Sequence, residues 1–313
     1  MNRRSALWSA MAFASALGAR VAAQTSSRMQ QSSVGVETIP LWPGAPPGGE
    51  AVRANLRARG ESVLMLGPND RAVMSIATPT LTLYRPTRPD GSALMIVPGG
   101  GYLRENVDRE GAAVAARFAA SGIAAFVLLY RLPGEGWKNQ TEVALSDGER
   151  AVERIRAGAR AYGIDPSRVG ALGFSAGAHL AGMLAARNVP ARPDFLALGY
   201  PVVTMLKPFA HEASREHFFG REASEAERAA HSLERLVTAS FPPTFLFAAE
   251  DDPDVPIENT LMLSASLRQN RVPVELHLFE RGGHSFGLGA SASPVSAWPD
   301  LFLRWGRARG YFR

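Results

Sequence analysis

Five short apolar runs recur along this chain, and stretches long enough for helices separate most of them. Residues 93–97, 123–129, 168–173, 195–200 and 244–249 carry no charge beyond their first position and are too short for buried helices. Between or after them lie helical patterns at 110–120, 142–162, 176–186 and 259–269. Residues 81–84 also have strand character, 274–279 alternates as a strand, and 300–309 closes the chain as a helix. Strands that are apolar on both faces and joined by helices predict parallel βαβ units. The expected fold class is therefore α/β: a doubly wound, mostly parallel sheet flanked by helices, within one catalytic domain over 36–313. The long stretch 201–242 falls between two strands and is rich in Ala, Glu and Arg. It predicts a small helical cap over one edge of the sheet rather than a second domain.

The first residues read differently. Arg3 and Arg4, an apolar stretch over 6–18 and the small residues Val21-Ala22-Ala23 predict an export signal over 1–23. The stretch is short for a membrane span, so no stable membrane insertion is expected once the signal is removed. The arginine pair, the Ala-rich core and Arg20 match the twin-arginine route in part. A periplasmic or secreted protein is the expectation. Residues 24–35 are polar and read as a flexible tail. Residues 36–50, with Pro43, Pro46 and Pro47, read as extended. Losing the signal's three arginines lowers the formal net charge from +5 to +2, and no basic block remains to suggest nucleic acid. With no cysteine in the chain, disulfides, a thiol nucleophile and thiolate metal sites are excluded.

Residues 173–177 read Gly-Phe-Ser-Ala-Gly, directly after an apolar strand run and directly before a helical one. A serine hydroxyl is a weak nucleophile at neutral pH. A sharp strand-to-helix turn exposes it, and flanking glycines let strand and helix pass close together. Acyl transfer also needs a base, an acid to orient that base, and donors for the oxyanion. On such a sheet the chain order is Ser, acid, His. His284, in the Gly-rich loop 281–287, fits as the base. The acid falls within Glu250-Asp251-Asp252-Pro253-Asp254, where spacing alone leaves Asp251 and Asp252 open. The donors fit Gly100 and Gly101 of Pro98-Gly99-Gly100-Gly101-Tyr102, together with the N–H of Ala176. A phosphate-binding turn is disfavoured because no Gly-x-Gly-x-x-Gly and no Lys-Ser/Thr follows. No cofactor or metal is expected: His211-Glu212…His217 lacks the His-Glu-x-x-His spacing and reads as a solvated helix. Tyr102, His179 and Trp298, with Trp137, are candidates to line the entrance.

Taken together, these residues resemble the alpha/beta-hydrolase esterases, and more closely their exported acetyl xylan esterase-like and bifunctional feruloyl/acetyl esterase-like branch. The likeness runs from about residue 39 to 312. It rests on Leu41-Trp42-Pro43-Gly44, the loop 98–102, Tyr130-Arg131-Leu132, residues 173–181, residues 252–259 and Gly282-Gly283-His284. The resemblance implies that Asp252, three residues before Val255-Pro256, completes a Ser175–His284–Asp252 triad, and that the glycine loop holds the oxyanion. Three positions depart from the pattern: Pro98 stands where many relatives carry His, Ala178 replaces a usual Gly, and Asp254 sits where an apolar residue is common. The function implied is an exported serine carboxylester hydrolase acting on a small-molecule or oligosaccharide ester, with short acyl groups on xylan-type carbohydrate as the expected class. Two rivals remain: a lipase- or peptidase-like hydrolase on the same fold, and a catalytically silent binding protein.

Overall fold

The structure, a computed structural model, describes residues 35–187, 189–220 and 222–313. The export signal read over 1–23 and nearly all of the tail read over 24–35 lie outside the described residues.

The strands are β1 (Gly35–Pro40), β2 (Ser62–Gly67), β3 (Asp70–Met74), β4 (Thr80–Arg85), β5 (Ala93–Val97), β6 (Ala124–Leu129), β7 (Val169–Phe174), β8 (Leu196–Gly199), β9 (Thr244–Ala249) and β10 (Val274–Phe279). The helices are α1 (Glu50–Arg59), α2 (Ala113–Ala119), α3 (Gln140–Ala157), α4 (Ala159–Tyr162), α5 (Ala176–Ala186), α6 (Glu212–Phe219), α7 (Glu225–Ala230), α8 (Glu258–Gln269) and α9 (Trp298–Ala308). An eight-stranded sheet runs β1-β4-β6-β5-β7-β8-β9-β10, while β2 and β3 form a separate hairpin. From β6 to β10 every neighbouring pair is parallel; β1 and β4 join antiparallel at one edge.

Alternate side chains of the central strands enter two different cores. Met95 and Val97 pack on the α3 and α5 side, with Ile155 and Leu180. Leu94 and Ile96 pack on the α2 and α9 side, with Phe118 and Phe302. Burial on both faces is why these strands read as unbroken apolar runs. Strand order reverses at β5: the chain steps from β5 to β6 on one side, then crosses to β7 on the other. Loops leaving the carboxyl ends of β5 and β7 therefore diverge and leave a crevice between them, the usual ligand position in an open α/β sheet.

Of the stretch 36–50 expected to be extended, only the part up to Pro40 is a strand; residues 41–48 bend repeatedly and are tied to the body around a buried ion pair. Asp147 on α3 accepts from Arg131 Nε at 2.8 Å and Nη2 at 2.8 Å, and both side chains are fully buried. Trp42 Nε1 donates to the same carboxylate at 2.8 Å, and Arg131 Nη1 donates to the Pro47 carbonyl. Arg131 also lies 4.9 Å over the ring of Trp137. Burial pushes the Asp147 carboxyl above its ordinary range, against the opposing pull of Arg131. Leaving either charge alone in this core would cost about 3–5 kcal/mol.

The sequence pattern assigns no element between 51 and 80, where α1 and the β2–β3 hairpin lie. Leu56 is the one fully buried position of α1, so no apolar stripe marks it. In β2, Val63, Leu64 and Met65 are all exposed, so the run lacks the alternation that identifies a half-buried strand.

Candidate active site

The turn after β7 gives Ser175 a backbone φ of 51°. Only a close passage of α5 over β5 makes this turn possible: a Cβ on Gly177 would collide with the carbonyl oxygens of Val97 and Pro98, and one on Gly173 would meet the Cα of Ala178 at 2.6 Å. The Ser175 N–H donates to the Gly199 carbonyl at 3.0 Å, and its own carbonyl accepts from Val202 at 3.1 Å. Tyr102, Tyr200 and Ser285 also hold positive φ. Each such residue costs on the order of 1–3 kcal/mol, and strain of this kind gathers at functional sites.

Ser175, His284 and Asp252 form one hydrogen-bonded line. His284 Nδ1 lies 2.7 Å from Asp252 Oδ2, and His284 Nε2 lies 2.9 Å from Ser175 Oγ. A carboxylate can only accept, so Nδ1 carries the proton and Nε2 is left to accept from the serine hydroxyl. The other oxygen of Asp252 accepts from the backbone N–H groups of Asp254 and Val255, each at 2.9 Å. Asp251 does something else: its Oδ1 accepts from Gly282 and Gly283 N–H, each at 2.8 Å, and so shapes the loop carrying His284. Hydrogen bonds from Gly283 and Gly282 hold its carboxyl below the ordinary range. Asp254 lies on the rim of the cleft.

The glycine loop is oriented by its carbonyls. Gly99 O accepts from Asn106 N–H at 2.9 Å, and Gly100 O accepts from Leu103 and Arg104 N–H, each at 3.2 Å. In a trans peptide the N–H points opposite the C=O. With both carbonyls turned into the 103–106 segment, the N–H groups of Gly100 and Gly101 face the other way. These two glycines line a cleft of about 270 Å³ together with Ser175 and His284. Ala176 follows Ser175 at the start of α5 and is fully buried, so only its backbone can serve there.

The remaining wall is mostly polar, with Arg104, Asn106, His211, His217, Asp254 and Ser285, and Leu103 and Ala213 add apolar surface to it. His211 and His217 come from the 201–242 segment. The structure corrects their reading as a solvated helix: segment 201–242 folds back across the sheet edge and turns both into the cleft. His217 Nδ1 donates to the Gly101 carbonyl at 3.1 Å. His211 Nδ1 accepts from Ser214 N–H at 3.4 Å and lies 2.7 Å from the Ser214 hydroxyl, which leaves Nε2 as its protonated nitrogen. Burial and then the nearby His284 lower the His211 pKa, so its ring is neutral at pH 7. A larger open groove of about 640 Å³ lies at the opposite, amino-terminal edge of β7–β9, and none of its lining residues is a histidine.

Tyr102, His179, Trp298 and Trp137 do not line the entrance; all four are buried, which corrects the expectation from sequence. His179 Nε2 donates to the His231 carbonyl at 2.8 Å, so its Nδ1 is the acceptor for the Tyr102 hydroxyl, also at 2.8 Å. This relay fastens the glycine loop and α5 to the end of α7. Trp298 stacks on Phe247 with centroids 4.3 Å apart and donates to the Gly287 carbonyl at 2.9 Å. These rings hold loops from beneath and touch nothing in the cleft.

The His179 relay makes acid stability measurable. Burial lowers its pKa from 6.5 to about 4. Protonation therefore favours the unfolded chain, so this contribution is complete above pH 6.5 and is lost as the pH falls toward 4. At about 1.4 kcal/mol for each pKa unit, roughly 3 kcal/mol of stability should disappear across that window. Urea unfolding of wild type and His179→Gln at several pH values checks this. The glutamine keeps one donor and one acceptor but does not titrate, so its stability should fall less steeply.

Comparison with known proteins points the same way. The chain matches the family described as alpha/beta hydrolase fold over residues 94–288. It is 33% identical over 217 residues to endo-1,4-beta-xylanase B of Butyrivibrio fibrisolvens, covering 66% of this chain and 34% of that protein. It is 31% identical over 214 residues to the acetylxylan esterase of Xylanibacter ruminicola, covering 67% of this chain and 44% of that protein. The chain thus spans less than half the length of either curated relative. Among solved structures, the acetyl ester-xyloside bifunctional hydrolase of Caldicellulosiruptor lactoaceticus superposes with a TM-score of 0.75 at 30% identity, covering 88% of this chain and 97% of that one. A carboxylesterase of Lactobacillus plantarum WCFS1 superposes with a TM-score of 0.65 at 25% identity, covering 81% and 98%.

Proposed function

This chain belongs to the alpha/beta-hydrolase fold family, and from that premise we propose that it is a serine carboxylic ester hydrolase cleaving short acyl groups, acetyl above all, from a carbohydrate alcohol of the xylan type. The observation that carries the reading is the unbroken line Ser175–His284–Asp252, with contacts of 2.9 and 2.7 Å. Ser175 Oγ attacks the acyl carbonyl while His284 Nε2 takes its proton. The carbonyl π electrons move to oxygen, and the N–H groups of Gly100, Gly101 and Ala176 receive that oxyanion. Collapse expels the alcohol, which leaves with the proton from His284. Water then repeats the sequence on the acyl-enzyme, frees the carboxylic acid and restores Ser175. Asp252 keeps the imidazole in the accepting tautomer and stabilises its cation.

The cleft supports the substrate class. At about 270 Å³ it is small for a ligand site, and Arg104, Asn106, His211 and His217 offer hydrogen bonds beside a short apolar patch of Leu103 and Ala213. That suits a short acyl group on a hydroxylated alcohol better than a fatty chain. The relatives named for acetylxylan and acetyl ester-xyloside hydrolysis lend the carbohydrate its identity. Export to the periplasm or medium, read from residues 1–23, belongs to the proposal and suits a polymeric substrate.

The test pairs acetylated xylan with nitrophenyl acetate, octanoate and palmitate. Acetate should be released from the xylan, and kcat/KM should fall by at least about 100-fold from acetate to octanoate. Highest activity on palmitate would make it a lipase and end the acetyl assignment.

A further inference from the structure

We infer that Glu110 is a positioning residue whose buried carboxylate clamps the oxyanion loop and the histidine loop into one frame. The inference rests on the ester-hydrolase reading above. Glu110 lies in a wide π-helical turn, Val107–Ala112, that precedes α2, and it is fully buried. π-Turns are rare and often mark functional positions. Four donors converge on its two oxygens. Oε2 accepts from Gly99 N–H at 2.7 Å and from Asn106 Nδ2 at 3.3 Å. Oε1 accepts from the Ser285 hydroxyl at 2.6 Å and from the Tyr200 hydroxyl at 2.9 Å.

Each donor sits beside a working part of the site. Gly99 immediately precedes the two oxyanion glycines, and Ser285 immediately follows the base. The ring of Tyr200 packs edge-on against His284, with centroids 4.9 Å apart, and its oxygen also accepts from Gly287 N–H at 3.2 Å. Residues 99 and 285 are far apart in the chain, and this carboxylate bridges them directly. A carboxylate alone has acceptor capacity for all four donors. An amide in its place would turn its NH2 toward the two hydroxyls, because Gly99 N–H cannot reverse its role. The hydroxyls would then have to reorient and accept from that NH2, which replaces two charge-assisted bonds with weaker neutral ones.

A clamp of this kind acts on the transition state. Misaiming the oxyanion donors and the imidazole leaves ground-state binding intact but weakens stabilisation of the developing charge. The loss should therefore fall on kcat and spare KM.

The experiment compares wild type, Glu110→Gln, Ser285→Ala and the double variant on nitrophenyl acetate. Active sites are counted by stoichiometric fluorophosphonate labelling, so that misfolded molecules drop out. Glu110→Gln should lower kcat per titrated site by about 10–100-fold with KM within about twofold, since ångström-scale misplacement costs that much. Ser285→Ala should lower kcat by a smaller factor, and the double variant should fall by less than the product of the two. The inference is overturned if kcat per site stays within about twofold of wild type in both single variants, or if the loss appears in KM. If Glu110→Gln does not fold, Ser285→Ala decides alone: an unchanged kcat overturns the clamp. A wild type that neither labels nor turns over any ester overturns the ester-hydrolase reading and the clamp with it. An active wild type with indifferent variants overturns the clamp alone.

Discussion

Ser175→Ala should lower kcat on nitrophenyl acetate by about 10⁵–10⁶-fold and abolish fluorophosphonate labelling. At 1.36 kcal/mol for each decade, that is about 7–8 kcal/mol of transition-state stabilisation. The side chain removed is the attacking atom and the donor of the 2.9 Å bond to His284. His284→Ala should cost nearly as much, because an unassisted serine hydroxyl scarcely reacts at neutral pH. The two losses should not add: the double variant should be no slower than Ser175→Ala alone, since neither residue works without the other. Some rate above water should persist, because the donors of Gly100, Gly101 and Ala176 remain. A Ser175→Ala protein that still took the label would place the nucleophile elsewhere.

Asp252→Asn should lower kcat by about 10⁴-fold, and the geometry says why. The backbone N–H groups of Asp254 and Val255 hold one oxygen of residue 252, each at 2.9 Å. In an asparagine those donors would keep the amide oxygen. Its NH2 would then face His284 Nδ1, which must turn acceptor, and the ring proton would move to Nε2. Nε2 would now point a proton at Ser175, where a lone pair is needed. Asp251→Asn is the contrast. Its carbonyl can still accept from Gly282 and Gly283, so kcat should fall less than about threefold, both bonds persisting without their charge. Kinetics of both variants, normalised to titrated sites, test the assignment. A larger fall at 251 than at 252 would reverse the roles of the two acids.

The sheet was readable because its central strands are apolar on both sides and helices separate them. The elbow serine and the loop histidine were readable for a local reason: glycines flank each, and their order along the chain is the one such a sheet demands. The acid was not, since four carboxylates crowd positions 250–254 and only family likeness separated Asp252 from Asp251. The wall of the cleft was beyond reach. Whether His211 and His217 face solvent or substrate depends on how 201–242 folds back across the sheet, which no short-range pattern records. Glu110 reads as an ordinary acid in a helix's first turn, and nothing nearby announces that the turn is widened and its carboxylate swallowed. Tyr102, His179 and Trp298 erred the other way. Tyr102 and His179 lie close in sequence to the reacting groups, Trp298 does not, and all three are buried. Tyr102 is turned by its positive φ, and the other two are held by helix faces packed on the sheet.

The union of Trp42, Arg131 and Asp147 bears on how such chains are recognised. Two of the most distinctive stretches, 41–44 and 130–132, meet at one carboxylate on α3, away from the nucleophile. Trp42 and Arg131 tether segment 41–48 to α3, while Tyr130 donates to the Pro98 carbonyl at 3.1 Å and so braces the glycine loop from beneath. A cousin could discard its serine, keep both stretches untouched and stand just as firm. Kinship drawn from those signatures speaks of shared carpentry, and the chemistry of each cousin has to be judged from what it carries at the crevice.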